Sequence, residues 1–98
     1  MDGVIWSLAN NYNETVTLLT SSLLHSDGSL IEKITSDRIT KIWGSGDIEP
    51  GGTFDVHLAI KLLFYDVSEF QTVWTIRTAT QGIVRCTYKS SLTSCIYN

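Results

Sequence analysis

No stretch of about 18 consecutive apolar residues occurs in the 98-residue chain, so a transmembrane helix is excluded. Basic residues are few. Seven Lys and Arg stand one at a time against ten Asp and Glu, for a net charge of −3. A nucleic-acid partner needs a basic stripe, and attraction to anionic lipid needs a polybasic patch; neither is present. Alanine and glutamate, the strong helix formers, are sparse, which disfavours a helical class. Cysteine is limited to Cys86 and Cys95, too few for a zinc site. No Gly-x-Ser-x-Gly, His-Glu-x-x-His or Asp-x-Asp-x-Asn pattern occurs. The pairs Gly44-x-Gly46 and Gly51-Gly52 precede no helix-forming stretch, so they form no phosphate cradle. Neither an enzyme nor a bound cofactor or metal is therefore expected. Met1–Trp6 has no basic region followed by a long apolar core. A cytoplasmic chain, or one released without a classical leader, is the expectation.

What the chain does have is alternation. The only proline, Pro50, opens Pro50-Gly51-Gly52, after which Phe54, Val56, Leu58, Ile60, Leu62 and Phe64 share one parity. Thr53, Asp55, His57, Ala59, Lys61, Leu63 and Tyr65 share the other. Successive strand side chains point to opposite faces, so residues 53–66 read as one long strand with an apolar inner face. Helical spacing from Phe54 reaches His57, Leu58 and Lys61 and makes no apolar stripe.

The rest of the chain repeats this grammar. Val4–Ala9 reads as a first strand and Asn10–Asn13 as a turn, because asparagine bonds its own backbone and tolerates left-handed conformations. Glu14–Leu24 reads as a second strand, with Val16, Leu18 and Leu24 on one face; a hairpin joining it to the first is the simplest topology. After the His25–Gly28 turn, Ser29–Ile34 reads as a short strand, against a helical turn suggested by Ser29 and Glu32 at capping-box spacing. Arg38–Trp43 reads as another strand. Gln71–Thr80, Ile83–Lys89 and Leu92–Tyr97 complete the set, with a two-residue turn at Gln81-Gly82. Seven or eight strands at such spacing predict a single all-β domain over residues 1–98, an antiparallel β-sandwich.

Four groups of residues invite a functional reading. His25 with Asp27, and His57 with Asp55, pair a histidine with an acid as acid–base chemistry requires; without a nucleophile beside them they read as surface groups. Cys86 and Cys95 would face each other if the last two strands form a hairpin turning at Ser90-Ser91, since their numbers sum to 181 as cross-strand partners there do. That allows a disulfide; two buried free thiols are the alternative. Asn13-Glu14-Thr15 is an acceptor triplet for N-glycosylation. The aromatic residues, three Trp, four Tyr and three Phe, are the most suggestive. Trp6 and Trp74 sit in strand patterns and read as core. Trp43 borders a glycine loop, and Tyr65 and Phe70 flank the turn after the long strand. Aromatics at a sandwich rim suit sugar stacking, a bilayer interface or a protein partner; closing the end of the core is the competing role.

Four stretches resemble the aegerolysins, small acidic β-sandwich proteins that bind membrane lipids: Val4–Asn10, Val16–Gly28, Ile48–Phe54, and Trp74-Thr75-Ile76 with Tyr88. They cover about half the chain. The segment between Asp66 and Gln71 is shorter here than in that family and lacks its aromatic-rich insertion. The resemblance implies a lipid-binding, toxin-like or lectin-like protein. Trp43, Tyr65 and Phe70 are the ligand-contact candidates from the aromatic pattern, with a membrane lipid or glycan as partner. The second expectation is an interaction protein that forms a homo-oligomer, or docks a protein partner, through a sheet edge or a strand face.

Overall fold

Alternating patterns of this kind become strands, and the computed structural model, which describes residues 2–60, 70–89 and 92–97, contains eight of them with one short helix. In chain order they are β1 (Asp2–Ala9), β2 (Val16–Leu24), β3 (Leu30–Ile34), α1 (Ser36–Trp43), β4 (Asp47–Ile48), β5 (Thr53–Ile60), β6 (Gln71–Thr78), β7 (Gly82–Lys89) and β8 (Leu92–Tyr97). All described pairings are antiparallel. The larger sheet runs β3-β2-β6-β7-β8, with the two-residue β4 appended to β2; the smaller sheet is the pair β1-β5. Leu8, Phe54 and Val56 of the small sheet share one buried cluster with Val16, Leu18, Leu23, Trp74, Ile76 and Val84 of the large one. The protein is thus a mostly β antiparallel sandwich. Trp74 is fully buried in it, and its indole N–H donates to Thr72 Oγ1 at 3.1 Å, which removes the cost of burying that donor.

Three sequence expectations are corrected. The first strand does not form a hairpin with the second. β1 pairs instead with β5, Asp2 opposite Ile60 and Ala9 opposite Thr53, because the Asn10–Thr15 loop carries the chain across to the other sheet. Residues 36–43 form a helix, not a strand. Of its residues only Ile39 is buried, and its β-branched composition favours a strand until the ends are considered. Asp37 lies in the first turn and Lys41 in the last, matching the helix dipole. Gly44, at φ 83°, donates its N–H to the Thr40 carbonyl at 2.9 Å and ends the helix. The inward face of β2 is not one parity throughout. A bulge between Leu18 and Thr20 switches it from Val16 and Leu18 to Ser21 and Leu23, leaving Leu24 half-buried.

The long strand is described as β5 to Ile60, with Phe54 and Val56 buried as its pattern requires; Leu62, Phe64 and the 67–69 connection lie outside the described residues. The turn between β6 and β7 has three residues, 79–81, and not the expected two. Gly82, at φ 71°, follows them, Thr78 Oγ1 donates to the Gly82 carbonyl, and the Gln81 N–H donates to Thr78 Oγ1. A left-handed residue after a tight turn is the usual form of a three-residue hairpin loop. Between β2 and β3, Asp27 Oδ1 accepts from both the hydroxyl and the amide N–H of Ser29. These bonds, the hydroxyl's first, hold the Asp27 carboxyl below its ordinary pKa.

Candidate functional site

Asn10 organises one end of the sandwich. It is 2% exposed, and every polar atom it has is used. Its amide N–H groups donate to the Glu14 and Ile48 carbonyls, each at 2.8 Å, while Oδ1 accepts from the Tyr12 N–H at 2.9 Å. Its backbone N–H donates to the Gly52 carbonyl at 2.9 Å, and its carbonyl accepts from the Gly51 N–H at 3.0 Å. The Asn10–Tyr12 contact is the local asparagine turn that the sequence predicts. The Glu49–Gly52 segment is a Pro-Gly turn with Gly51 at φ 78° and a Gly52 N–H to Glu49 carbonyl bond of 2.8 Å, the signature of type II. Glu14 then ties the same loop to the β6–β7 turn. Its carboxylate accepts from the N–H groups of Ala79 and Thr80 and from the Thr80 hydroxyl. A loop of six residues is in this way fixed to β4, to the entrance of β5 and to a distant hairpin.

Beneath this loop lies a cavity of about 260 Å³. Leu8, Ala9, Val16, Ile76 and Cys86 give it apolar walls; Asn10, Asn11, Tyr12 and Tyr88 supply the polar part. Asn11 is exposed, and Tyr12 and Tyr88 are half-buried, so the cavity reaches the surface on their side. Among the described residues, no lysine, arginine or histidine lines it. The Tyr88 hydroxyl makes no hydrogen bond among the described residues, and burial pushes its pKa above the ordinary phenol value. Chemically, the described lining can take an apolar group and offer it neutral hydrogen-bonding groups.

The residues singled out in the sequence fall elsewhere. Trp43, at the end of α1, is half-buried and packs on Phe54, ring centroids 5.3 Å apart and tilted by 55°. Phe70 is 9% exposed and meets the edge of His25 at 6.2 Å. It precedes Gln71, which pairs with Leu24, whereas the cavity residues Val16 and Ile76 lie toward the other end of the β2–β6 pair. Neither ring lines the cavity, and both close the core. Tyr65 lies outside the described residues. Cys86 is 3% exposed and disulfide-bonded, and its register partner is Cys95. Asn13 is exposed on the loop that Asn10 and Glu14 anchor. Sequence reasoning missed Tyr12 and Tyr88 as site residues. The cavity joins the end of β1 to β7, more than seventy positions away, and no local pattern announces such a meeting. The unusual density of asparagine at 10–13 is the one available signal, and it marks the loop, not the cavity. Compared with protein-family models, curated proteins and solved structures, the chain matches none.

Proposed function

We propose that this protein is a non-enzymatic binding module for a membrane lipid, and that its site is the cavity under the Asn10–Tyr12 loop. The observation that carries this reading is the lining: among the described residues, five apolar ones form the walls and no charged one borders the space. A sugar needs many paired polar contacts, and leaving its hydroxyls unpaired against leucine, valine and isoleucine would oppose binding. A hydrocarbon segment loses nothing there and gains by leaving water. The scattered likeness to aegerolysins points to lipid as well. The aromatic residues that contribute are Tyr12 and Tyr88 at the cavity, in place of Trp43 and Phe70.

The reading is tested by cosedimentation with vesicles of varied headgroup and sterol content, beside a glycan array, using wild type and Asn11→Trp. Position 11 is exposed at the opening, so an indole there blocks the cavity without entering the core. Binding should resist salt, because the protein brings no basic patch to the surface, and Asn11→Trp should weaken it at least tenfold. Binding to glycans without lipids, or to nothing on the lipid panel, overturns the proposal.

A second reading has one observation in its favour. Leu30, on the edge strand β3, is 57% exposed, and Ile42 on α1 is 52% exposed. An open edge carrying an apolar side chain favours self-association. Light scattering at high concentration separates the two readings: a monomer that binds vesicles excludes assembly as the main role.

A further inference from the structure

The lining also restricts which lipid group can enter. A carboxylate or phosphate taken into the cavity would lose its water and find no cation among the described residues, none of whose basic side chains borders the space. Burial of an unpaired ion is among the costliest things a protein can be asked to do. Charged groups must therefore stay outside. Inside, the donor inventory is short. Both N–H groups of the Asn10 amide are committed to the Glu14 and Ile48 carbonyls, and its oxygen is held by the Tyr12 N–H. Asn11 belongs to the exposed opening. Of the two half-buried tyrosines in the lining, Tyr12 has partners within the protein, whereas the Tyr88 hydroxyl on β7 makes no hydrogen bond among the described residues.

Resting on the lipid reading above, we infer that the cavity selects an uncharged group bearing a single hydrogen-bond acceptor, such as an alcohol or an ester at the end of a short hydrocarbon segment, and that Tyr88 is the residue that selects it. The size fits such a group. A dry apolar cavity of about 150 Å³ accommodates benzene, so by proportion 260 Å³ holds roughly ten carbon atoms. Whole phospholipids and intact sterols are too large to be enclosed, and one end of the molecule enters. The raised phenol pKa agrees with this assignment, because the hydroxyl keeps its proton and remains a donor in mildly alkaline solution.

The test uses four small probes on the full chain: benzene, 1-octanol, methyl octanoate and octanoate, with affinities read by NMR titration of amide signals at neutral pH. Octanol and the methyl ester should bind at least tenfold more tightly than ionised octanoate. Any apolar cavity would disfavour the anion, so the deciding variant is Tyr88→Phe, which removes one oxygen that no described residue hydrogen-bonds. It should weaken octanol and the ester by roughly fivefold, the worth of one net hydrogen bond, and leave benzene unchanged. Equal affinity for octanoate and octanol, or a Tyr88→Phe protein that binds octanol as wild type does, overturns the selection by Tyr88 while benzene binding upholds the cavity. Failure of all four probes, benzene included, overturns the lipid-binding reading itself and this inference with it.

Discussion

Asn10 makes five hydrogen bonds from four atoms, and no other residue type could reproduce the set. Aspartate has the shape but not the donors. Asn10→Asp would turn a buried carboxylate toward the Glu14 and Ile48 carbonyls, and a loss of about 3 kcal/mol is expected from the missing bonds and the unpaired charge. Urea denaturation checks it; a loss under about 0.5 kcal/mol, the range of ordinary surface substitutions, would show that the network is dispensable. Two glycines in one loop separate backbone freedom from space. At Gly46 an added Cβ would sit 2.5 Å from the Leu18 carbonyl oxygen, in a segment already held by the Leu18 N–H to Gly46 carbonyl bond of 2.8 Å. At Gly44 there is open room and a φ of 83°. Gly46→Ala should therefore cost about 2–3 kcal/mol through overpacking, and Gly44→Ala about 1 kcal/mol through the left-handed backbone alone. Equal melting temperatures for the two variants would contradict this. Tyr88 carries the pH dependence. Its folded pKa is raised by burial, so its contribution to stability is complete below the ordinary phenol pKa of about 10 and is lost as pH rises through the higher folded value. A tyrosinate absorbance titration should show one late-titrating tyrosine that disappears in Tyr88→Phe; an unchanged curve would refute the assignment.

Strands of eight residues with strict alternation, such as β5, β6 and β7, were legible because burial on one face writes period two directly into the sequence. Trp74, Ile76, Val84 and Cys86 are all buried, as their parity foretold. The register of β7 with β8 is the one expected for a hairpin turning at positions 90 and 91, with Lys89 opposite Leu92 and Cys86 opposite Cys95. What escaped was decided by contacts far away in sequence. In α1, eight residues are two turns, too few for a helical period to outweigh Ile39, Thr40 and Ile42, which suit a strand equally well. Asp37, Lys41 and Gly44 were the readable signs. The bulge in β2 left no mark at all, since Leu18 and Leu19 are both leucine and either could have faced inward. The site was less legible than the fold. Aromatic residues near glycine loops suggested a rim at Trp43 and Phe70; in the fold Trp43 packs on Phe54 and Phe70 meets the His25 imidazole in a T-shaped contact. At this scale the clamp between loop and hairpin is open to test. Glu14→Ala removes three hydrogen bonds to Ala79 and Thr80. Amide exchange at those two residues should quicken at least tenfold while the β6 core amides keep wild-type protection; uniform quickening would mean that the clamp stabilises the whole fold.

The whole molecule measures about 41 × 28 × 21 Å; one core joins its two sheets, and a disulfide staples β7 to β8 within the larger one. The Cys86 bridge to its register partner closes a hairpin of ten residues, which by loop entropy should contribute about 2.7 kcal/mol. Reduction should lower the unfolding free energy read from urea denaturation by that amount without unfolding the protein in water. Spontaneous unfolding on reduction would show that the core alone is insufficient. The pairing of β1 with β5 has a consequence that reaches back to biosynthesis. The N-terminal strand leaves the ribosome first, yet its hydrogen-bonding partners are residues 53–60. For the time it takes to make about fifty further residues, a few seconds at ordinary elongation rates, β1 has no strand to join. The large sheet can begin without it through the local β2–β3 hairpin, and later through β6–β7–β8. The small sheet, and with it the wall that Leu8 gives the cavity, has to wait for the chain to return. The cavity waits longer still, because Ile76, Cys86 and Tyr88 of β6 and β7 also line it, and it is complete only once those strands have joined β2.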